Sequence, residues 1–121
     1  MKIIVFSKSD YTFSAKLSKI CDLHSDELVF FDKFESLKEI KSKTDALVII
    51  DFYDYKDSLK DAIILIKNTS HYSSCILIDK MESKIQKEVT DNGFDIIMTK
   101  QLFLMNIKII KSQILKNEFK A

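Results

Sequence analysis

Short apolar runs and amphipathic stretches alternate along the whole chain. The apolar runs are rich in Ile, Val or Phe and bounded by polar residues, which is typical of strands buried on both faces of a parallel sheet. They cover residues 2–6, 27–31, 46–50, 75–78 and 95–99. Each run is followed by a stretch with helical spacing of apolar residues. The pattern therefore predicts a (βα)5 unit, an α/β fold with helices on both sides of the sheet.

Polar residues and one glycine mark the ends of the predicted helices. Ser9 or Asp10 provides the first N-cap, because a side-chain oxygen there can accept hydrogen bonds from the first helical N–H groups. Gly93 is the sole glycine of the chain, and it stands where a left-handed C-cap ends a helix. The predicted helices span residues 11–24, a short segment with Leu37 and Ile40, a segment that opens at Ser58, residues 83–92 and residues 102–119.

Length and composition indicate one globular domain. The chain has 121 residues, of which 46% are hydrophobic and 31% charged, enough to bury a core without disulfides or a metal. No apolar run approaches the roughly 20 residues that span a bilayer, and the N-terminal run is too short for a secretory signal. We therefore expect a cytoplasmic protein without a membrane partner, in which Cys21 and Cys75 are buried reduced thiols.

Charge and motifs argue against several classes of function. The formal net charge is +1 and every basic residue is Lys. The bidentate guanidinium that reads guanine is therefore missing, and nucleic acid is not an expected partner. The single glycine excludes glycine-rich nucleotide loops. No His/Cys ligand set or nucleophile motif occurs, so neither a metal nor an enzyme with its own turnover is expected.

One carboxylate ends the third apolar run. Asp51 directly follows residues 46–50, which places it at the carboxyl end of a strand, where open α/β sheets bind their ligands. Asp51 is therefore a working chemical group, the relic of one, or a residue that only starts a turn.

The order and spacing of the elements resemble the receiver domains of bacterial two-component response regulators over essentially the whole chain. The resemblance implies a flavodoxin-like parallel sheet with strand order 2-1-3-4-5. It also implies that residues 1–121 form a single receiver-like domain with no attached output domain. Asp51 takes the position of the phosphoacceptor, and Lys100 that of the lysine that ends the fifth strand. The segment "GFDII", with Gly93 and Asp95, matches the stretch before that strand.

The chain departs from the receiver pattern at several positions. Ser7 and Lys8 stand where receivers carry the acidic pair that holds Mg²⁺. Asp79 replaces the Ser or Thr at the end of the fourth strand, and Ile97 replaces the aromatic residue that switches with it. Gln101 stands where receivers have a proline after the lysine.

These replacements predict a fixed charge cluster in place of a metal site. Losing two carboxylates and gaining an ammonium weakens a site for Mg²⁺, which prefers oxygen ligands. In a receiver fold, one edge of the sheet would bring together Lys8, Asp51, Asp79 and Lys100. We expect Lys8 or Lys100 to pair with Asp51, with Lys8 in roughly the place of the metal.

Simpler interpretations stay open at three of these positions. Asp51 can be a turn residue alone, and Lys100 can be a solvated surface lysine, since Lys is rarely buried without a partner. Asp10 is expected to be an N-cap rather than a displaced metal ligand.

The leading hypothesis is a degenerate receiver, or pseudo-receiver, that needs no cofactor and acts through protein–protein interaction. Its partner would be a kinase, another signalling protein or a scaffold. The alternative is a working receiver in a phosphorelay, with Asp51 phosphorylated by a histidine kinase and Mg²⁺ required. A third hypothesis, a flavodoxin-like binder of a small ligand, is disfavoured by the missing glycine-rich loops.

The last predicted helix carries two apolar stripes. The first recurs at steps of four, three and four residues and is enough to seat the helix on the sheet. The second lies beside it and predicts a partner surface, or a homodimer interface through the region of the fourth and fifth helices, unless a neighbouring helix buries it. The first stripe is Phe103, Ile107, Ile110 and Ile114; the second is Leu102, Met105 and Ile109, extended by Leu115 and Phe119.

Overall fold

A parallel five-stranded sheet forms the centre of the protein. The computed structural model describes residues 1–40, 44–69 and 71–115. The strands are β1 (Lys2–Phe6), β2 (Glu27–Phe30), β3 (Ala46–Asp51), β4 (Tyr72–Ile78) and β5 (Ile96–Thr99). Their order in the sheet is β2-β1-β3-β4-β5, and all neighbouring pairs are parallel. The predicted α/β architecture and strand order are confirmed.

Helices cover both faces of the sheet. They are α1 (Tyr11–Leu23), α2 (Phe52–Tyr55), α3 (Leu59–Lys67), α4 (Ser83–Asn92) and α5 (Lys100–Leu115). Two 3₁₀ helices add to them: Phe34–Glu39, where a short helix was predicted, and Lys56–Ser58. The predicted end of the last helix, with Phe119, lies outside the described residues. Within the described ranges, no helix combines the length and apolar character needed to cross a membrane.

The core has two halves, one on each face of the sheet, because alternate residues of a strand point to opposite faces. In β3, Leu47 and Ile49 pack in the half that includes α1 and α5. Val48 and Ile50 pack in the half that includes the first 3₁₀ helix, α3 and α4. All residues of β3 are buried, as expected for the central strand of a parallel sheet. The last of them is Asp51, so the fold delivers a carboxylate to the edge of the sheet in a buried position.

β4 begins at Tyr72, earlier than the predicted start at Cys75. Ser73 and Ser74 interrupt the apolar pattern in sequence, yet both are buried. The backbone N–H and the hydroxyl of Ser74 donate to Asp95 Oδ2 at 2.8 and 3.2 Å. These bonds offset the cost of burying the polar groups of Ser74. The strand therefore starts before the apolar run, at residues that hydrophobicity alone does not place in a strand.

The helix ends follow the predicted signals at two positions. Asp10 is the N-cap of α1, and its Oδ1 accepts a hydrogen bond from Phe13 N–H at 3.0 Å. Gly93 ends α4 in the left-handed conformation, with φ of 94°. Ser58 precedes α3 but makes no side-chain capping bond.

α5 is bent at Asn106. This residue has non-helical dihedral angles, φ −121° and ψ 16°. Its Nδ2 donates to the Leu102 carbonyl at 2.8 Å. A side chain that bonds into the helical ladder is a known cause of kinks, and here it divides the helix into two segments of different direction.

Candidate functional site

Asp51 is the last residue of β3, and only 5% of its side chain is exposed. The chain turns into α2 immediately afterwards. Asp51 caps that turn, because its Oδ1 accepts a hydrogen bond from Tyr53 N–H at 2.9 Å. Capping occupies one carboxylate oxygen and leaves Oδ2 for a second partner.

Lys100 is that second partner. It directly follows β5 and opens α5. Its Nζ lies 2.9 Å from Asp51 Oδ2, 2.8 Å from Asp10 Oδ2 and 3.2 Å from Asp79 Oδ1. Because 13% of the Lys100 side chain is exposed, carboxylates rather than water surround the ammonium. We call Asp10, Asp51, Asp79 and Lys100 the Lys100 cluster.

The contact between Lys100 and Asp10 favours the charged form of both side chains. Burial favours the neutral amine, but hydrogen bonds to Asp10 and Asp51 outweigh it and raise the pKa of Lys100. The hydrogen bonds from Lys100 and from Phe13 N–H lower the pKa of Asp10 below its usual value. Three carboxylates therefore share one ammonium, and the cluster has an excess of negative charge.

Lys8 does not join the cluster. Its ammonium lies 4.7 Å from the centroid of the Tyr55 ring, a cation–π contact. The prediction that Lys8 takes the place of the metal beside Asp51 is therefore corrected, because the side chain extends toward α2. Ser7, the other replaced position, has a buried hydroxyl that makes no hydrogen bond to any described residue.

Asp54 is a residue of this site that the sequence analysis missed. Its carboxylate accepts hydrogen bonds from Lys8 N–H at 2.8 Å, from Ser9 N–H at 3.4 Å and from the Ser9 hydroxyl at 2.8 Å. It thereby ties the β1–α1 loop to the turn after β3. Burial alone would raise the pKa of Asp54, but these hydrogen bonds, aided by the charge of Lys100, lower it. In sequence it is one of three acids in "DFYDYKD", and no spacing singles it out.

Asp10 has two partners on different elements. Its Oδ1 caps α1, as predicted, and its Oδ2 binds Lys100 across 90 positions of sequence. A capping motif predicts only the contact with α1. The sequence therefore did not predict that Asp10 belongs to the Lys100 cluster.

Asp79 follows β4 and completes the cluster from its solvent side, with 67% of the side chain exposed. Its backbone N–H donates to the phenolic oxygen of Tyr53 at 2.8 Å. The Tyr53 ring centroid lies 5.6 Å from Lys100 Nζ. Ile97, in β5, is partly buried against the apolar core and contributes no polar group.

The residues around Asp51 fit Mg²⁺ poorly. That ion requires near-octahedral oxygen ligation, whereas the Lys100 ammonium already lies among the three carboxylates. The two positions that carry acids in receivers hold Ser7 and Lys8. Across the described ranges, no group of three or more His, Cys, Asp or Glu side chains is arranged to hold a metal ion.

Solved structures of response regulators share this fold. A response regulator from Thermotoga maritima superposes with a TM-score of 0.71 at 15% identity, over 92% of this chain and 97% of that chain. A response regulator in red light signaling of R. palustris superposes with a TM-score of 0.68 at 14% identity, over 93% of this chain and 92% of that chain. No protein-family model and no curated protein matches the sequence. The chain therefore has a receiver-like, flavodoxin-like fold.

Lys100→Met should destabilise the protein by about 3 kcal/mol, because removing one partner of a buried ion pair leaves the other charge uncompensated. Lys87→Met is the matched control, since Lys87 makes a 2.7 Å pair with Asp91 on an exposed helix surface. We expect no measurable change for the control. Urea unfolding of both variants and of the wild type checks this, and equal midpoints for the three would contradict it.

Asp54→Asn should lower stability at neutral pH and lose its effect in acid. The folded-state pKa of Asp54 lies below the ordinary value, so its contribution is present above the unfolded pKa, about 4. It is lost as the pH falls through the folded pKa. Free energies of unfolding from pH 7 to pH 2 should show a deficit of about 1–2 kcal/mol that shrinks below about pH 4. Asp57→Asn, at an exposed position, should show no such trend, and a constant deficit for Asp54→Asn would contradict the assignment.

Proposed function

We propose that this protein is a degenerate receiver, a signalling domain that acts by binding another protein and not through phosphorylation of Asp51. The observation that carries the proposal is the contact of the Lys100 ammonium with three carboxylates. In a degenerate receiver the ion pair of Asp51 and Lys100 has a structural role, which requires neither Mg²⁺ nor a cycle of phosphorylation.

The charge of the cluster supports this proposal. Transfer of a phosphoryl group to a carboxylate depends on neutralising the negative charge of the transferred oxygens. Here the single ammonium is already shared, and the exposed carboxylate of Asp79 faces any approaching anion. Asp79 would therefore repel the phosphate at the position where receivers place a hydroxyl.

The residues at the two switch positions also support it. Receivers couple a hydroxyl on the fourth strand to an aromatic residue on the fifth, which move together between two states. Asp79 and Ile97 supply neither group. Ile97 is instead packed against the apolar core, where its movement would disturb the packing that stabilises the fold.

An exposed apolar stripe on α5 supports a role in protein binding. Leu102, Met105 and Ile109 are 48%, 71% and 58% exposed, so neither α1 nor α4 buries them. Such a patch usually marks a protein–protein site. We assign it to a signalling or scaffold partner or to a second copy of this chain. We place the protein in the cytoplasm, which agrees with the free, buried thiols of Cys21 and Cys75.

The second candidate function is a working phosphoacceptor. The observation that favours it is the 2.9 Å contact between Lys100 and Asp51, since a receiver also needs a cation beside its aspartate. In that case a histidine kinase is the partner. Asp51 would be the carboxylate that holds Mg²⁺, and the ion would add to Lys100 in neutralising the charge of the transferred phosphoryl group.

Beryllofluoride with Mg²⁺ distinguishes the two candidates, because it mimics an acyl phosphate on a receiver aspartate. We expect the backbone amide chemical shifts of α4 and β5 to stay unchanged when both are added. Asp51→Asn is the control for nonspecific binding and should itself change stability only slightly, because Asp10 and Asp79 still pair with the Lys100 ammonium. Widespread shifts in the wild type that are absent from Asp51→Asn would establish the phosphoacceptor function instead.

The α5 stripe is tested by Met105→Asp combined with Ile109→Asp. We expect a folded domain that no longer self-associates or binds its partner, because two charges cannot be buried unpaired in an interface. The control pair Leu23→Asp and Ile64→Asp changes apolar residues that are 79% and 60% exposed on other helices, and it should leave association intact. A wild type that sediments as a monomer at all concentrations, with a double variant that unfolds, would contradict a role of the stripe in association.

A further inference from the structure

Four residues form a closed ring of polar contacts around the end of the sheet. Asp51 accepts from Tyr53 N–H, and Tyr53 accepts from Asp79 N–H. The carboxylate of Asp79 pairs with the Lys100 ammonium, and the same ammonium pairs with the carboxylate of Asp51, which closes the ring. The ring joins the chain segments that follow β3, β4 and β5, so the conformation of each depends on the other two.

Tyr53 is the least restrained residue of α2. Phe52 and Tyr55 are buried in the core, and Asp54 accepts three hydrogen bonds. Tyr53, in contrast, is 42% exposed. Its hydroxyl makes one hydrogen bond, which it accepts from the backbone N–H of the exposed residue Asp79. Rotation of this one side chain would therefore open the ring of polar contacts and would break one contact with the core, the edge-on contact with the Phe52 ring.

We propose that Tyr53 is a latch that closes the Lys100 cluster and fixes the connection between β4 and α4. Its hydroxyl holds the Asp79 amide, and its ring covers Lys100 at 5.6 Å from Nζ to centroid. Release of the latch would expose the ammonium to solvent. It would also free the segment from Asp79 to Glu82, which carries the exposed side chain of Met81. A partner that binds the Tyr53 ring would thereby change the surface beside α4.

Two substitutions separate the two contacts of Tyr53. Tyr53→Phe removes the hydroxyl and keeps the ring, whereas Tyr53→Ala removes both. The corresponding changes at Tyr11, which is 81% exposed and outside the ring, are the controls. The measurements are hydrogen exchange of the Asp79 amide and water exchange of the Lys100 ammonium protons, both by ¹⁵N NMR on the full chain.

Tyr53→Phe should speed exchange of the Asp79 amide by about tenfold or more, as for loss of a protecting hydrogen bond, and leave the Lys100 ammonium protected. Tyr53→Ala should speed both. If Tyr53→Phe leaves the Asp79 amide unchanged, or Tyr53→Ala leaves the ammonium protected, the latch is refuted. The experiment uses neither a phosphate analogue nor a partner, so its outcome is independent of the proposed function.

Discussion

The contact between Asp51 and Lys100 is the constraint on which the carboxyl edge of this sheet depends. β3 is buried along its whole length and ends in a carboxylate. A buried charge is tolerated only when it is paired and hydrogen-bonded. One oxygen of Asp51 is satisfied by Tyr53 N–H and the other by Lys100. Tyr53 lies in the segment that follows the central strand β3, and Lys100 in the segment that follows the edge strand β5, so the positions of α2 and α5 are coupled to this one charge.

The remaining loop at this edge is held in a different way. In a receiver, a metal ion bound to an acidic pair would link the β1–α1 loop to the aspartate. Here hydrogen bonds from Lys8 and Ser9 to Asp54 make the link directly. Asp10 then joins the start of α1 to Lys100. The β1–α1 loop is thus connected to the other loops at this edge by side chains of the protein itself.

How far the sequence predicts this structure depends on what determines each element. β1 and β3 follow from their apolar runs. The start of β4 does not, because the buried Ser74 is hydrogen-bonded to Asp95, a contact that no local pattern reveals. Resemblance and spacing placed Lys100 and Asp79 at the edge with Asp51. They could not choose between Lys8 and Lys100 as its partner, since spacing gives a position and not the direction in which a flexible side chain extends. Asp54 was hidden for a similar reason: its three donors lie in a loop about 45 residues away, and long-range hydrogen bonds leave no periodic signal.

The bend at Asn106 limits the shapes that can cover α5. Leu102 and Met105 precede the bend, and Ile109 follows it. A straight rod laid along the first two residues would diverge from the third, because the axis of α5 changes direction between them. A partner that covers all three residues therefore needs a surface that follows the bend of α5. Alternatively, two separate side chains of the partner can approach the two segments of α5 from different angles. Geometry alone thus disfavours a regular coiled coil on this face, however apolar the stripe is.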